Sequence, residues 1–159
     1  MASAALKVEI LGQNIEILFE DGFREEIENG FFELKNASGD TIVQRSATAA
    51  DVARLAATAA AAETAALEAT LADGTKVERA GSKLEIAYPD GSSEEIHRGK
   101  YELTNSADVT IVERTASAQD IARIEGLIAT TFADALEVFA AGTPTSTPTS
   151  TPTGGGAGD

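Results

Sequence analysis

The chain has 159 residues, 26 Asp plus Glu against 12 Lys plus Arg, a formal charge of −14 and no cysteine. That negative field repels phosphate backbones and anionic headgroups, which argues against nucleic acid and acidic membranes as partners. The lack of cysteine excludes disulfide frameworks, thiolate zinc sites and cysteine nucleophiles together, and the lack of any run of about 18 apolar residues argues against membrane insertion.

In chain order, residues 1–7 lack the basic region and apolar stretch of an ordinary secretory signal peptide. Apolar and charged residues then alternate as half-buried strands require: Val8 and Ile10, then Ile15, Ile17 and Phe19, then Phe32 and Leu34. Asp21-Gly22 and Asn29-Gly30 supply the positive φ that tight hairpins need. At Thr48 the period changes. Thr48 with Asp51 forms a capping-box-like helix start, and the alanine-rich run that follows predicts a helix over residues 49–72, stopped by Asp73-Gly74.

An offset of about 69 residues then superposes 7–55 on 76–124 without a gap. Lys7-Val8-Glu9 matches Lys76-Val77-Glu78, Asp21-Gly22 matches Asp90-Gly91, and Glu25-Glu26-Ile27 matches Glu94-Glu95-Ile96. Glu33-Leu34 matches Glu102-Leu103, and Thr41-Ile42-Val43 matches Thr110-Ile111-Val112. Ser117 with Asp120 repeats the helix start, and a second helix is predicted from 118 to about 140 with Ile121, Ile124, Ile128, Ala135 and Phe139 as its apolar stripe. The expected fold is α+β: a tandem duplication of an antiparallel β-meander followed by an α-helix, related by a pseudo-twofold. The first unit covers residues 1–73, the second 74–142, and a disordered Thr/Pro-rich linker with a Gly-rich end covers 143–159.

On the first predicted helix, Val52, Leu55, Ala59, Ala62, Ala66 and Ala69 fall at alternating three and four spacing. Small side chains on such a seam admit close backbone approach. Two uses are open: packing on the chain's own sheet or twin helix, or a homodimer interface.

The tail ends Gly154-Gly155-Gly156-Ala157-Gly158-Asp159. These residues resemble the opening of a repeat of the RTX, or hemolysin-type, calcium-binding family, whose nonapeptide reads GGxGxDxUx. Gly155 and Gly156 stand at its paired glycines, Gly158 at its third, and Asp159 at its second variable position; the calcium-ligating aspartate would be the next residue. RTX proteins are acidic, poor in cysteine and exported by type I machinery that reads a C-terminal signal. The resemblance therefore implies a secreted, extracellular bacterial protein that binds calcium, mostly outside this chain, with Gly155, Gly156, Gly158 and Asp159 as part of a metal-binding repeat.

Elsewhere the sequence is thin in chemistry. His97 is the lone histidine and reads as a surface residue, which effectively excludes zinc. Glu25-Glu26 and Glu94-Glu95 are strand neighbours pointing to opposite faces, so neither pair acts as one dyad. Glu25 with Glu33 or Glu16 forms a conceivable carboxylate-only calcium set, though a charged outer sheet face accounts better for them. The recurring Arg45/Arg114, Asp51/Asp120 and Arg54/Arg123 read as ion pairs locking helix to sheet. With no nucleophile, base and orienter grouped, no enzyme is expected and no catalytic or cofactor-binding residue is assigned. The functional expectation is a non-catalytic structural or interaction module at the N-terminus of an acidic RTX-type protein. The alternative is an intracellular (cytoplasmic) acidic module that binds a protein partner or homo-oligomerises.

Overall fold

A computed structural model describes residues 3–142. The RTX-like residues Gly155, Gly156, Gly158 and Asp159 and the linker before them lie outside the described residues. The first unit consists of β1 (Ala5–Leu11), β2 (Asn14–Phe19), β3 (Arg24–Glu28), β4 (Phe31–Lys35), β5 (Thr41–Ser46) and α1 (Ala49–Ala60). After β6 (Ala66–Thr70), the second repeats the pattern with β7 (Lys76–Ala80), β8 (Lys83–Ala87), β9 (Ser93–His97), β10 (Lys100–Thr104), β11 (Thr110–Thr115) and α2 (Ala118–Ala141).

All eleven strands form one sheet in the order β11-β10-β9-β8-β7-β6-β1-β2-β3-β4-β5. Every neighbouring pair is antiparallel except β1 and β6, which run parallel. The two meanders thus spread outward from β6 with opposite strand directions, as a twofold normal to the sheet requires. The α+β duplication expected from the repeat is the fold observed.

The alternation is obeyed strand by strand. Val8, Ile10, Ile15, Ile17 and Ile27 in one half, and Val77, Leu84, Ile86 and Ile96 in the other, are buried on the face that carries both helices. α1 packs over β1 and β2, α2 over β6, β1, β7 and β8, and the helices pack on each other. Asn29 and Gly30 adopt φ 50° and 83°, and Arg98 and Gly99 repeat this at 51° and 77°. This left-handed pair suits the twist of the flanking strands, and Arg98 bears the cost an L side chain meets there.

The predicted helix over 49–72 is corrected: α1 ends at Ala60. Ala62 falls in the connecting turn, and Ala66 and Ala69 lie on β6, so the six-residue seam is not one helix face. Val52, Leu55 and Ala59 are buried on α1 within the chain, against its own sheet and α2. The physical reason is in the burial of β6. Leu67 and Ala69 are buried while Ala66, Glu68 and Thr70 are half-buried, a period of two. A strand here pairs with β1 on one side and β7 on the other, and so closes two sheet edges at once. Asp73-Gly74, expected to stop a helix, makes the β6–β7 hairpin: the Asp73 carboxylate accepts from Thr75 N at 2.8 Å, as Asp21 accepts from Phe23 and Asp90 from Ser92. On α2 the buried stripe is Ile124, Ile128, Phe132, Ala135 and Phe139, with Ile121 partly exposed.

Candidate functional site

The two faces of the sheet carry different charge arrangements. On the helix face each unit has an arginine clamp. In the first, Arg45 on β5 makes two contacts to Asp51, at 2.5 and 3.0 Å, while Asp51 closes a capping box with Thr48. Arg54 on α1 reaches Glu25 on β3 at 2.8 Å. Both guanidiniums lie over the buried Phe32 ring, at 4.7 and 5.7 Å from its centroid.

The second unit repeats the clamp and adds to it. Arg114 makes two contacts to Asp120, one of them at 2.9 Å, and lies 4.5 Å over the Tyr101 ring; Asp120 closes the capping box with Ser117. Arg123 grips both oxygens of Glu94, at 2.6 and 3.1 Å. Where the first unit has Phe19 and Phe32, the second has Tyr88 and Tyr101, and both phenols donate to Glu94, Tyr101 at 2.7 Å. Glu94 is 7% exposed, and this set of donors is what makes burying its charge tolerable.

The electrostatics follow from these contacts. The Arg123 guanidinium, helped by the two phenols, overcomes burial and holds the Glu94 carboxyl down at about 2. Arg45 and Arg114 hold Asp51 and Asp120 well below the usual carboxylate range, assisted by the Thr48 and Ser117 caps. Burial, followed by Glu94, pushes Tyr88 up to about 12. The recurring Arg and Asp positions therefore lock helix to sheet, as their repetition suggested.

On the opposite face a row of carboxylates crosses the sheet. By cross-strand register, Glu113, Glu102, Glu95, Glu85, Glu78, Glu68, Glu9, Glu16, Glu26 and Glu33 stand side by side, and Gln44 completes the row on β5. Like charges directly opposite one another repel, so the row requires compensation. Flanking positions on the same face supply it. Lys7 lies 3.5 Å from Glu9, Arg24 3.5 Å from Glu16, Lys35 3.5 Å from Glu26, Lys76 2.9 Å from Glu68, Lys83 3.1 Å from Glu85 and Lys100 3.2 Å from Glu113. His97 is half-exposed beside Glu95, at 3.8 Å. Compensation is uneven: Lys76 holds Glu68 below its ordinary value, whereas burial and the neighbouring Glu28 raise Glu26 despite Lys35.

Glu25 faces the helices while Glu16 and Glu33 face away, so that carboxylate set does not converge. Among the described residues no three or more His, Asp or Glu side chains are grouped to hold a metal ion. Among the described residues no helix is long and apolar enough to cross a membrane. The residues that reading the sequence missed are Tyr88 and Tyr101 as partners of Glu94, and the full extent of the row. The signal for the row is a glutamate at the centre of every strand but β5, as in Val8-Glu9-Ile10, Leu67-Glu68-Ala69 and Tyr101-Glu102-Leu103.

Comparison with known proteins adds nothing to this description. No family model matches the chain, and no curated protein matches it. A solved structure, the TCP10 domain of Danio rerio CPAP in complex with a peptide of Danio rerio STIL, aligns at 15% identity over 66% of this chain, with a TM-score of 0.22. The aligned part spans half, 50%, of that chain, and at that TM-score the two share no established fold.

Proposed function

We propose that this chain is a non-catalytic structural module, a plate that holds a broad charged face and two edges, unpaired among the described residues, in fixed geometry for contact with other protein. The observation that carries this reading is the use the fold makes of its carboxylates. On the helix face Asp51, Asp120 and Glu94 are held ionised by arginines that also pin the helices. A carboxylate so held is a poor proton donor or acceptor near neutrality, where general acid–base work needs one poised. Among the described residues every buried side-chain polar atom has a partner within the fold. Eleven strands at about 4.8 Å spacing make a plate roughly 50 Å wide.

The test is turnover of generic chromogenic esters, phosphomonoesters and glycosides by the whole chain. The expected result is no rate above buffer, and a rate that disappears in Glu94→Gln would overturn the reading. Placement at the front of an exported calcium-binding RTX-type protein is a further proposal, carried by Gly155, Gly156, Gly158 and Asp159. Sequencing the gene past Asp159 tests it: further GGxGxD repeats support it and a stop codon there defeats it.

A further inference from the structure

The two outermost strands are nearly the same peptide. β5 reads Thr-Ile-Val-Gln-Arg-Ser and β11 reads Thr-Ile-Val-Glu-Arg-Thr. Each is paired on one side only among the described residues, and each is rich in the β-branched residues that favour strands. Native sheets commonly shield such edges with lysine, proline or a bulge; neither strand contains lysine or proline, and the bulge each carries protects one end and leaves the other regular. Ile42 is 53% exposed and Ile111 57%. Each strand carries a bulge at that isoleucine, because two residues advance where the neighbouring strand advances by one. Regular backbone geometry is left over residues 43–46 and 112–115.

We propose that a second copy of this chain sets its β11 against β5 of the first as an antiparallel neighbour, so that sheet and glutamate row continue from one molecule into the next. Strand direction favours this. Because the sheet contains one parallel step, β5 and β11 of one molecule run in opposite directions, and a copy displaced sideways without rotation brings β11 antiparallel to β5.

Local charge at the seam favours it too, against the general repulsion of two copies each carrying −14. Continuing the row places Gln44 opposite Glu113, and β5 is the one strand whose row position is not a glutamate. The Gln44 amide donates to a carboxylate where a glutamate would repel it. In the same register Ile42 falls opposite Thr115, and Ile111 falls opposite Ser46, whose partner on β4 is Phe31, itself 55% exposed. The two bulged isoleucines thus lie at the ends of the paired segment, which brings three exposed apolar side chains to the seam. Pairing β11 with another β11 in the row's register would set Glu113 against itself, and pairing β5 with another β5 sets Gln44 against Gln44 and forgoes the amide-to-carboxylate bond, so the mixed pairing is the one that satisfies a charged group. A mixed contact leaves one free β5 and one free β11 at the ends, so the product is an open ribbon of copies.

This inference rests on the structural reading above, and its test reads association, not turnover, so either can fail without the other. The whole chain is followed by sedimentation velocity and light scattering from low micromolar to millimolar concentration, together with Ile42→Lys, Ile111→Lys, Gln44→Glu and the pair Gln44→Glu/Glu113→Gln. The unmodified chain is expected to form a concentration-dependent series of sizes. Ile42→Lys alone and Ile111→Lys alone are expected to remain monomeric, while their equimolar mixture stops at a dimer, since each retains the edge the other lacks. Gln44→Glu is expected to weaken association roughly two- to fivefold, and adding Glu113→Gln to restore it. A monomer at millimolar concentration, dimers of either lysine variant alone, or no dimer in the mixture of two folded variants would each overturn the proposal. Circular dichroism of each variant establishes that it is folded.

Discussion

Arg123 holds both oxygens of Glu94, at 2.6 and 3.1 Å, with Tyr88 and Tyr101 donating to the same carboxylate, whereas its counterpart Arg54 holds Glu25 with two phenylalanines in the phenol positions. One duplicated contact therefore exists with and without two phenol donors within a single molecule, at similar exposure of the carboxylate, 15% for the Glu25 side chain and 9% for Glu94. The two should differ in worth. Replacing Glu94 by Gln strands a guanidinium and two phenols and is expected to cost about 2 kcal/mol, while Glu25→Gln is expected to cost about 1 kcal/mol or less. Urea denaturation of the two variants under one set of conditions measures the difference, and equal costs would contradict this account.

The phenol contribution can be separated from the arginine. Tyr88→Phe with Tyr101→Phe converts the second clamp to the pattern of the first and is expected to remove roughly 3 kcal/mol, since each hydrogen bond to a charged group contributes about 1.5 to 3 kcal/mol. The carboxyl titration of Glu94, followed by NMR, is expected to rise from about 2 toward ordinary values without reaching them, because Arg123 is the larger cause.

Acid should unfold the protein through the clamps. Glu94, Asp51 and Asp120 all titrate lower in the folded chain than in the unfolded one. Their contribution is complete above the ordinary carboxylate range, near 4.5 for Glu94, and is lost as pH falls toward 2. Tyr88 acts at the other extreme. Its folded value near 12 lies above the ordinary 10, so its contribution is present below pH 10 and is lost as pH rises from 10 to 12. A melting temperature level between about pH 5 and 9, falling on both sides, is the expected profile.

The glutamate row gives a prediction of opposite sign. Glu26 is raised in the folded chain, so its charge opposes folding at neutral pH. Glu26→Gln is expected to stabilise the protein at pH 7 by a few tenths of a kcal/mol. The gain should vanish near pH 3, where the native carboxyl is itself neutral, and a paired thermal melt at the two pH values checks this.

The capping boxes bear on each helix separately. Thr48→Ala and Ser117→Ala each remove a hydroxyl that accepts from the backbone N–H of Asp51 or Asp120, at 3.2 and 3.1 Å. Each is expected to cost about 1 kcal/mol. Hydrogen exchange should speed up in the first turn of the helix concerned and leave the other helix unaffected.

Much of this was legible from residues alone. The Asp21-Gly22 and Asn29-Gly30 turns, the caps at Thr48 and Ser117, and the alternation of Ile15 and Ile17 rest on local chemistry that a strand or turn cannot do without. Misreading began where the repeat changes partner. Residues 130–141 continue α2, while the corresponding 61–72 leave α1 and become β6. Alanine has high helix propensity, and Ala62, Ala66 and Ala69 fall on helical spacing, so local preference pointed one way. The requirement for a strand between β1 and β7 is non-local and prevailed. The alternation of Leu67 and Ala69 with Glu68 and Thr70, ended by a third Asp-Gly turn, was the available sign. Continuity of the glutamate row was hidden for a related reason: a central Glu in each strand is visible, but alignment across strands depends on register, which turns and burial fix together.

Tyr88 and Tyr101 are the chain's two tyrosines, and it contains no tryptophan. Its tyrosine absorbance and emission, at longer wavelength than those of its six phenylalanines, therefore originate from the surroundings of one carboxylate in the second half. Absorbance or emission followed during unfolding reports that half without a label, while far-ultraviolet ellipticity reports both. If the shared sheet makes the duplicated halves cooperative, the two transitions coincide. If the halves part company, the tyrosine trace will be displaced from the backbone trace.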